Sequence, residues 1–370
     1  MKLPTATGAD ALAGLRVLDF TLMIAGPYGA RLLADLGAEV IKIEPPEGED
    51  MRPRAPLRGG HSAYFGQLNA GKRSIALDLK NAQAIALVKK LVAEADVVVE
   101  NFRPGVMQRL GLDYATLAAI NPRLVYCSIS GYGQTGPAAG RPAYAPIVHA
   151  ASGFDRTLMR YAGDRTQPMH GAVFIADLLG GIYAYAGIQT ALVQRTRTGL
   201  GQHVDVALMD CMLNLLVYEL QEAQFPVPAG RARYGPIGAA DGDLLVAPIS
   251  QRNFVSLCKV IGRPELCTDA RFAKTAARGA HWLDLMAEVQ LWTRARPLAE
   301  CVRLLEAGGV PCSTYGEPGD ALSDPHLIAR GLFARVTDGG GEFTGVNPPF
   351  RMSASRAQLR ERVPDRKSVV

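Results

Sequence analysis

The glycine order GxGxxG is missing where a dinucleotide-binding chain would carry it: the first strand-like segment, RVLDF (16–20), runs into TLMIAGPYG. A plain NAD-binding reading therefore loses its main support. Paired cysteines are missing too. Cys127, Cys211, Cys258, Cys267, Cys301 and Cys312 are scattered, with no CxxC spacing and no histidines at zinc-ligand distance. That pattern excludes a disulfide framework and a metal site, and it predicts reduced thiols in the cytoplasm. No Lys/Arg tract is present and the net charge is only +5, which suits small anionic ligands better than nucleic acid. The N-terminal MKLPTATGADALAGLRVLDF lacks the apolar h-region of a secretory signal, and the final KSVV matches no targeting signal.

Charge is locally scarce as well. Residues 171–193, GAVFIADLLGGIYAYAGIQTALV, contain one charge, Asp177, and no other formal charge lies between Arg165 and Arg195. Burying a lone carboxylate is costly unless it is paired or neutralised. Three readings compete. The run is long enough for a membrane helix, but an aspartate near its middle opposes insertion by roughly 2.5–3.5 kcal/mol, and no second such run exists. A core helix with Asp177 capping its first turn is the plainest reading. A functional carboxylate held in a dry pocket is the third, and position alone does not separate the last two.

What is present is an ordinary globular composition, 48% hydrophobic and 20% charged over 370 residues, long enough for two domains. The first 135 residues alternate strand-like and helix-like segments. RVLDF is followed by a helix over 25–38. EVIKIE (39–44) and SIALDLK (74–80) read as strands around a polar loop, 82–95 as a helix, DVVVENF (96–102) as a strand, and RLVYCSISGYG (123–133) as a strand entering a glycine loop. This rhythm predicts an α/β fold with a mostly parallel sheet, whose ligands sit at the carboxyl ends of the strands. HVDVALMDCMLNLLVYELQ (203–221) reads as a strand entering a helix, and FPVPAGRARYGP (225–236) as a linker. From DGDLLVAP (241–248) through LAECVRLLEAGGV (298–310) the pattern resets to short strands and amphipathic helices, a smaller α+β domain, before the tail returns to the first.

The loop between EVIKIE and SIALDLK gathers Arg52, Arg54, Arg58, Lys72 and Arg73. Cations on loops at strand ends suit phosphates, and pairing with Glu47, Glu49 and Asp50 is the competing reading. ENFRPGVMQRLGL (100–112) adds Asn101, Phe102, Arg103 and Arg109, an aromatic with cations that suits a base and a phosphate.

In order, GLRVLDFT, AGP, LADLGAEVIKIE, NAGKRSIALDLK, DVVVENFRPGVMQRLGL, SGYGQTGP, the Asp177 helix and TGLGQHVDVALMDCMLNL resemble family III CoA-transferases, the CaiB/BaiF type. The resemblance resumes at DPHLIARGLF (324–333). It implies a Rossmann-like CoA-binding domain over 1–224 and 323–370, a small domain over 225–322, and a homodimer of interlocked rings. It implies Asp177 as the nucleophile that attacks an acyl-CoA thioester, Lys72, Arg73, Asn101, Phe102 and Arg109 as CoA contacts, and no cofactor beyond CoA and acyl-CoA as substrate. Ile24, Tyr144, Gly180 and Gly181 are the expected acyl-pocket residues. The glycines serve equally well as a tight helix contact.

Two departures matter. Racemases of the family place a histidine where this chain has Tyr144, which favours transfer over α-proton chemistry, although racemisation or intramolecular CoA transfer with the same aspartate remains the alternative. His149, five residues on, reads as a helix or loop histidine near the site. The glutamine that formyl-CoA transferase carries after the first strand is Ile24 here, so a larger acid, a short dicarboxylate, is the expected partner, with Arg141, Arg156 or Arg165 as its anchor. Partners are thus an acyl-CoA and a free carboxylic acid, with neither nucleic acid nor membrane. A protein that holds CoA without chemistry is the third reading.

Overall fold

The computed structural model describes residues 10–163, 165–169, 171–227 and 232–366. The KSVV terminus, residues 1–9 and positions 228–231 of the expected linker lie outside the described residues. The chain divides into two compact units. One takes in the chain through Arg156, then Met169–Leu216 and everything from Leu322; the other is Val217–Ala321 with Thr157–Pro168.

In the first unit the strands are β1 (Arg16–Asp19), β2 (Glu39–Glu44), the two-residue β3 (Leu57–Arg58) and β4 (His61–Ser62), β5 (Arg73–Ala76), β6 (Val97–Glu100), β7 (Val125–Ser130) and β8 (His203–Ala207). The helices are α1 (Ala25–Asp35), α2 (Ala63–Asn69), α3 (Ala82–Val92), α4 (Val106–Leu110), α5 (Tyr114–Ile120), α6 (Ala145–Ser152), α8 (Ile175–Thr198) and α9 (Leu208–Leu215), while α7 (Phe154–Tyr161) starts in this unit and belongs to the second from Thr157 on. Six strands form one sheet in the order β5-β2-β1-β6-β7-β8, with every pairing parallel. The order reverses between β1 and β6, so the crevice at their carboxyl ends is the expected ligand position.

Helices cover both faces. VVVE of β6 and VYCSIS of β7 are buried throughout, as strands sandwiched between helices must be. Val17, Val97, Val99, Cys127 and Ile129 pack with Ala30 and Leu33 of α1 and Ala184, Ile188 and Ala191 of α8. On the other face Leu18, Val98 and Tyr126 pack with Val88 and Val92 of α3 and Leu117 of α5. Downstream, a hairpin of β12 (Phe333–Asp338) and β13 (Gly341–Val346) returns to this unit. Arg31 of α1 donates to the Val346 carbonyl at 2.9 Å.

The second unit holds an antiparallel sheet of β9 (Ile237–Gly238), β10 (Asp243–Val246) and β11 (Cys312–Thr314). Its core joins Leu244 and Val246 to Phe254, Leu257, Leu285, Val289 and Leu305 from three helices.

Helix α8 answers part of the question about the apolar run. Among the described residues no helix is long and apolar enough to cross a membrane. Instead α8 lies against α1 at a glycine crossing. A Cβ on Gly181 would stand 2.6 Å from the Ala25 carbonyl oxygen, and one on Gly29 would stand 2.8 Å from the Gly181 oxygen. Gly180 faces Leu208, whose Cδ2 would lie 2.4 Å from an added Cβ. Both glycines are buried in helix packing, the second of the two readings their sequence allows, and neither is among the residues lining the cavity at Asp177. Gly181→Ala adds about 1 kcal/mol of helix propensity but forces apart two backbones, at a cost of about 1–3 kcal/mol. The expected net result is a lower urea midpoint with an unchanged m-value.

Candidate active site

The loop after β1 is held by buried charge. Asp19, ending β1, accepts from the Thr21 backbone N–H at 2.9 Å and from Lys72 Nζ at 2.8 Å. The other two Lys72 donors go to the Pro27 carbonyl at 2.9 Å and Asn69 Oδ1 at 2.8 Å. Lys42 Nζ reaches the Thr21 carbonyl at 2.6 Å and Glu49 at 2.7 Å. Glu49 Oε1 in turn accepts the Met23 N–H at 2.6 Å. Burial pushes the Asp19 carboxyl up, but Lys72 and Lys42 outweigh it and hold the group below its ordinary range. Burial likewise pulls Lys42 down, while Glu49 and Asp19 more than restore it, so its net shift is upward.

Two consequences reach the loop. Met23 takes a φ of 68°, the one non-glycine residue on the left-handed side among those described, a conformation that surrounding structure must enforce. Asn101, just past β6, clamps Leu22 twice: its Oδ1 accepts the Leu22 N–H at 2.8 Å and its Nδ2 donates to the Leu22 carbonyl at 2.7 Å. The loops on either side of the switch point are thus tied together.

They enclose a cavity of about 750 Å³ lined by Leu22–Ala25, Met51, Arg54, Tyr64, Asn101–Arg103, Tyr144, Phe174, Asp177 and neighbouring residues. Three lining residues carry charge: Asp177, Arg54 and Arg103. Ile24, Met51, Phe65 and Leu68 form an apolar cluster that Met23, Tyr64 and Phe174 extend. The N-terminus of α1, at Ala25, opens on the same space and favours negative charge there.

Asp177 lies in the first turn of α8 and carries no hydrogen bond or ion pair among the described residues. Burial alone pushes its carboxyl up to about 6. Tyr64 is also raised, by burial first and then by the Asp177 charge, so its phenol keeps its proton beside the carboxylate. The capping reading is corrected: the N-cap is Phe174, with no side-chain cap bond. The N–H of Ala176 is instead accepted by His149 Nε2 at 3.0 Å.

Of the remaining expected site residues, Ile24, Tyr144, Asn101 and Phe102 do line the cavity, although the Asn101 amide is occupied by Leu22. Lys72 is buried with its three donors engaged by Asp19, Pro27 and Asn69 and does not line the cavity. Arg73 starts β5 and pairs with Glu39 at 2.7 Å, toward the amino edge of the sheet and away from the cavity. Arg109, on α4, is exposed and pairs with no carboxylate among the described residues. Arg141 and Arg156 are exposed and do not line the cavity, and Arg165 belongs to the second unit. Arg52 pairs bidentately with Glu44 and Arg58 with Asp338. That leaves Arg54 as the cation of its loop that reaches the cavity. Tyr64, in the unremarkable stretch HSAYFG, had no sequence signal.

A half-buried carboxylate without a partner among the described residues, at the switch point of a parallel sheet with Arg54 and Arg103 lining the same cavity, suits an enzyme that handles an anionic substrate. The CoA-transferase family III model matches residues 12–367. An acetyl-CoA:oxalate CoA-transferase of Acetobacter aceti is 39% identical, over 90% of this chain and 87% of that protein. A succinate–glutarate CoA-transferase of Agrobacterium fabrum is 37% identical, over 92% and 89%. Among solved structures, Rv3272 of Mycobacterium tuberculosis matches with a TM-score of 0.87 at 32% identity, over 98% of each chain. A CaiB/BaiF family protein of Brucella suis matches with a TM-score of 0.82 at 36% identity, over 97% of each. The chain belongs to CoA-transferase family III and is a CoA-transferase.

The raised Asp177 carboxyl has a stability consequence. The folded chain holds this proton more tightly than the unfolded chain, so the contribution is full below about pH 4 and lost as pH rises through about 6. At neutral pH the ionised form costs about 2–3 kcal/mol. Asp177→Asn is therefore expected to unfold at higher urea than wild type at pH 8, with little advantage at pH 4. An Asn variant less stable at pH 8 would mean that the carboxylate is supported by bonds rather than desolvated.

Proposed function

We propose that the chain transfers CoA between carboxylic acids through acyl-aspartate chemistry at Asp177. The observation that carries this reading is the lone desolvated carboxylate, raised to about 6 by burial, in a cavity large enough for an acyl-thioester. A hydrated carboxylate is a weak nucleophile. Stripped of water and partners, its ionised form is far more reactive.

The Asp177 carboxylate attacks the thioester carbonyl, the C–S bond breaks, and CoA leaves as thiolate from a mixed anhydride. The thiolate attacks the aspartyl carbonyl and expels the first acid as its carboxylate, leaving an aspartyl-CoA thioester. The acceptor carboxylate attacks that thioester and displaces thiolate again. Thiolate then takes the new acyl group from the second anhydride and frees Asp177. Each intermediate is water-sensitive, and the apolar wall of Ile24, Met51 and Phe174 suits that need. The α1 N-terminus and the protonated Tyr64 phenol are placed to stabilise oxyanions.

CoA fits the carboxyl edge beyond β6, with Phe102 against the base and Arg103 and Arg109 for phosphates. The acid is a short dicarboxylate, its far carboxylate on Arg54. Relatives named for oxalate and for succinate and glutarate agree with this. His149, buried and committed to Ala176, does not line the cavity, so it is not placed as an α-proton base. We also propose a homodimer. Tyr144 at 64% exposure, Ile147 at 52% and Val193 at 59% are apolar side chains on α6 and α8 that a second copy would cover.

Three outcomes are expected. Hydroxylamine trapping with acetyl-, oxalyl-, succinyl- and glutaryl-CoA yields a hydroxamate at Asp177 and none in Asp177→Asn; α-deuterium exchange without trapping would replace transfer with racemisation. The acylation rate falls tenfold per pH unit below about 6, because the protonated carboxyl is no nucleophile. Arg54→Ala raises KM for succinate or glutarate by about tenfold or more, the worth of a lost charged hydrogen bond, and leaves acetate unchanged; equal effects on both acids would remove Arg54 from recognition.

A further inference from the structure

The nucleophile helix begins without a cap of its own. Phe174 at the N-cap carries no acceptor, and orphan N–H groups of a first turn need partners. One is supplied from another helix: His149 of α6 accepts the Ala176 N–H at 3.0 Å, one residue before Asp177. The imidazole is 6% exposed, its ring centroid 5.4 Å from that of Phe154. Tyr144, at the N-cap of the same α6, and Ala145 and Pro146 in its first turn line the Asp177 cavity. One short helix thus forms a wall of the acyl cavity and holds the turn that presents the nucleophile.

We propose that His149 is a positioning residue for Asp177: its neutral imidazole, accepting through Nε2 with the proton on Nδ1, fixes the first turn of α8 and so the direction of the carboxylate. The role requires an unprotonated ring nitrogen. Burial favours that state, against the opposing charge of Asp155 on α7. The titratable groups on the two helices packed against α6 are Asp177, Tyr183, Tyr185, Arg195 and Arg197 of α8 and Asp210 and Cys211 of α9. An ordinary serine or aspartate cap would place a polar or charged side chain next to the nucleophile. An acceptor brought in from α6 leaves the Asp177 carboxyl in its desolvated state.

The inference rests on Asp177 as the acylated residue, and the test separates the two. Single-turnover acylation is followed by hydroxylamine trapping with succinyl- and acetyl-CoA in wild type, His149→Gln and His149→Leu, with CoA affinity measured alongside. Leucine fills similar space without an acceptor, and glutamine restores one. The expected result is about a 10- to 100-fold slower acylation in the leucine variant, the loss expected for a misplaced reacting group, with CoA affinity unchanged. Glutamine should recover most of the rate. His149→Met gives the same comparison should leucine not fold. Leucine acylating at the wild-type rate, or glutamine as slow as leucine, would overturn the role of His149. No trapped hydroxamate in wild type would overturn the acyl-aspartate reading, and this inference with it.

Discussion

The site depends on two lysines with no exposed charge. Lys42 and Lys72 are buried beneath the loop that follows β1, and each is matched by a carboxylate, Glu49 and Asp19. Such pairs add little net stability when complete, but leaving one partner behind costs about 3–5 kcal/mol. Their value here is geometric. Asp19 turns the chain at Thr21, Lys42 takes the Thr21 carbonyl, and Glu49 takes the Met23 N–H, which holds a left-handed methionine in place. Asn101 then locks the same loop to the end of β6. The cavity floor is therefore built from a neutralised ionic network and lined by side chains that carry almost none of its charge.

That separation allows one chain to do two incompatible things. CoA and a carboxylic acid bring several negative charges, which call for cations. On the proposed reading the Asp177 carboxylate must meanwhile be free of them, since a nearby guanidinium would hold its pKa down and weaken it as a nucleophile. The cations that could have reached the site are mostly committed elsewhere: Arg52 to Glu44, Arg58 to Asp338, Lys72 to Asp19. Arg54 and Arg103 remain at the cavity, and neither appears among the causes of the Asp177 shift, which is burial.

Much of this fold was readable from local pattern. EVIKIE is a strand over the residues expected, and β6 and β7 fall inside their apolar segments because burial on both faces demands continuous hydrophobicity, while the edge strand β5 starts one residue early and covers only part of its segment. Asp177 stood out because one charge in a long apolar run has few explanations. Residue roles that depend on direction were harder to see. Lys72 and Arg73 are adjacent in sequence, yet Lys72, just before β5, is buried on Asp19 while Arg73, opening the strand, is exposed on Glu39. Gly180 and Gly181 offered two readings, and only the approach of the Ala25 carbonyl decides for packing. His149 carried no motif at all, since its partner is a backbone N–H of another helix, and sequence does not encode which backbone group a histidine meets.

Helix α8 shows why the apolar run is so long. Its buried side packs on α1 and the sheet through Ala184, Ile188 and Ala191. Its first turn borders the cavity through Phe174 and Asp177. Leu178, Ile182, Tyr183 and Val193 lie on surface left uncovered in the single chain. An amphipathic helix has one apolar stripe and one polar face; this one has three claims on its surface, and its two basic residues, Arg195 and Arg197, are confined to the last turn. The glycine pair brings its backbone close to α1, and no side chain of its own caps its start, so the acceptor comes from α6. Asp177 is the one charge of this helix before Arg195: with no other charge between them, the carboxylate has no partner among the described residues, and burial alone raises it.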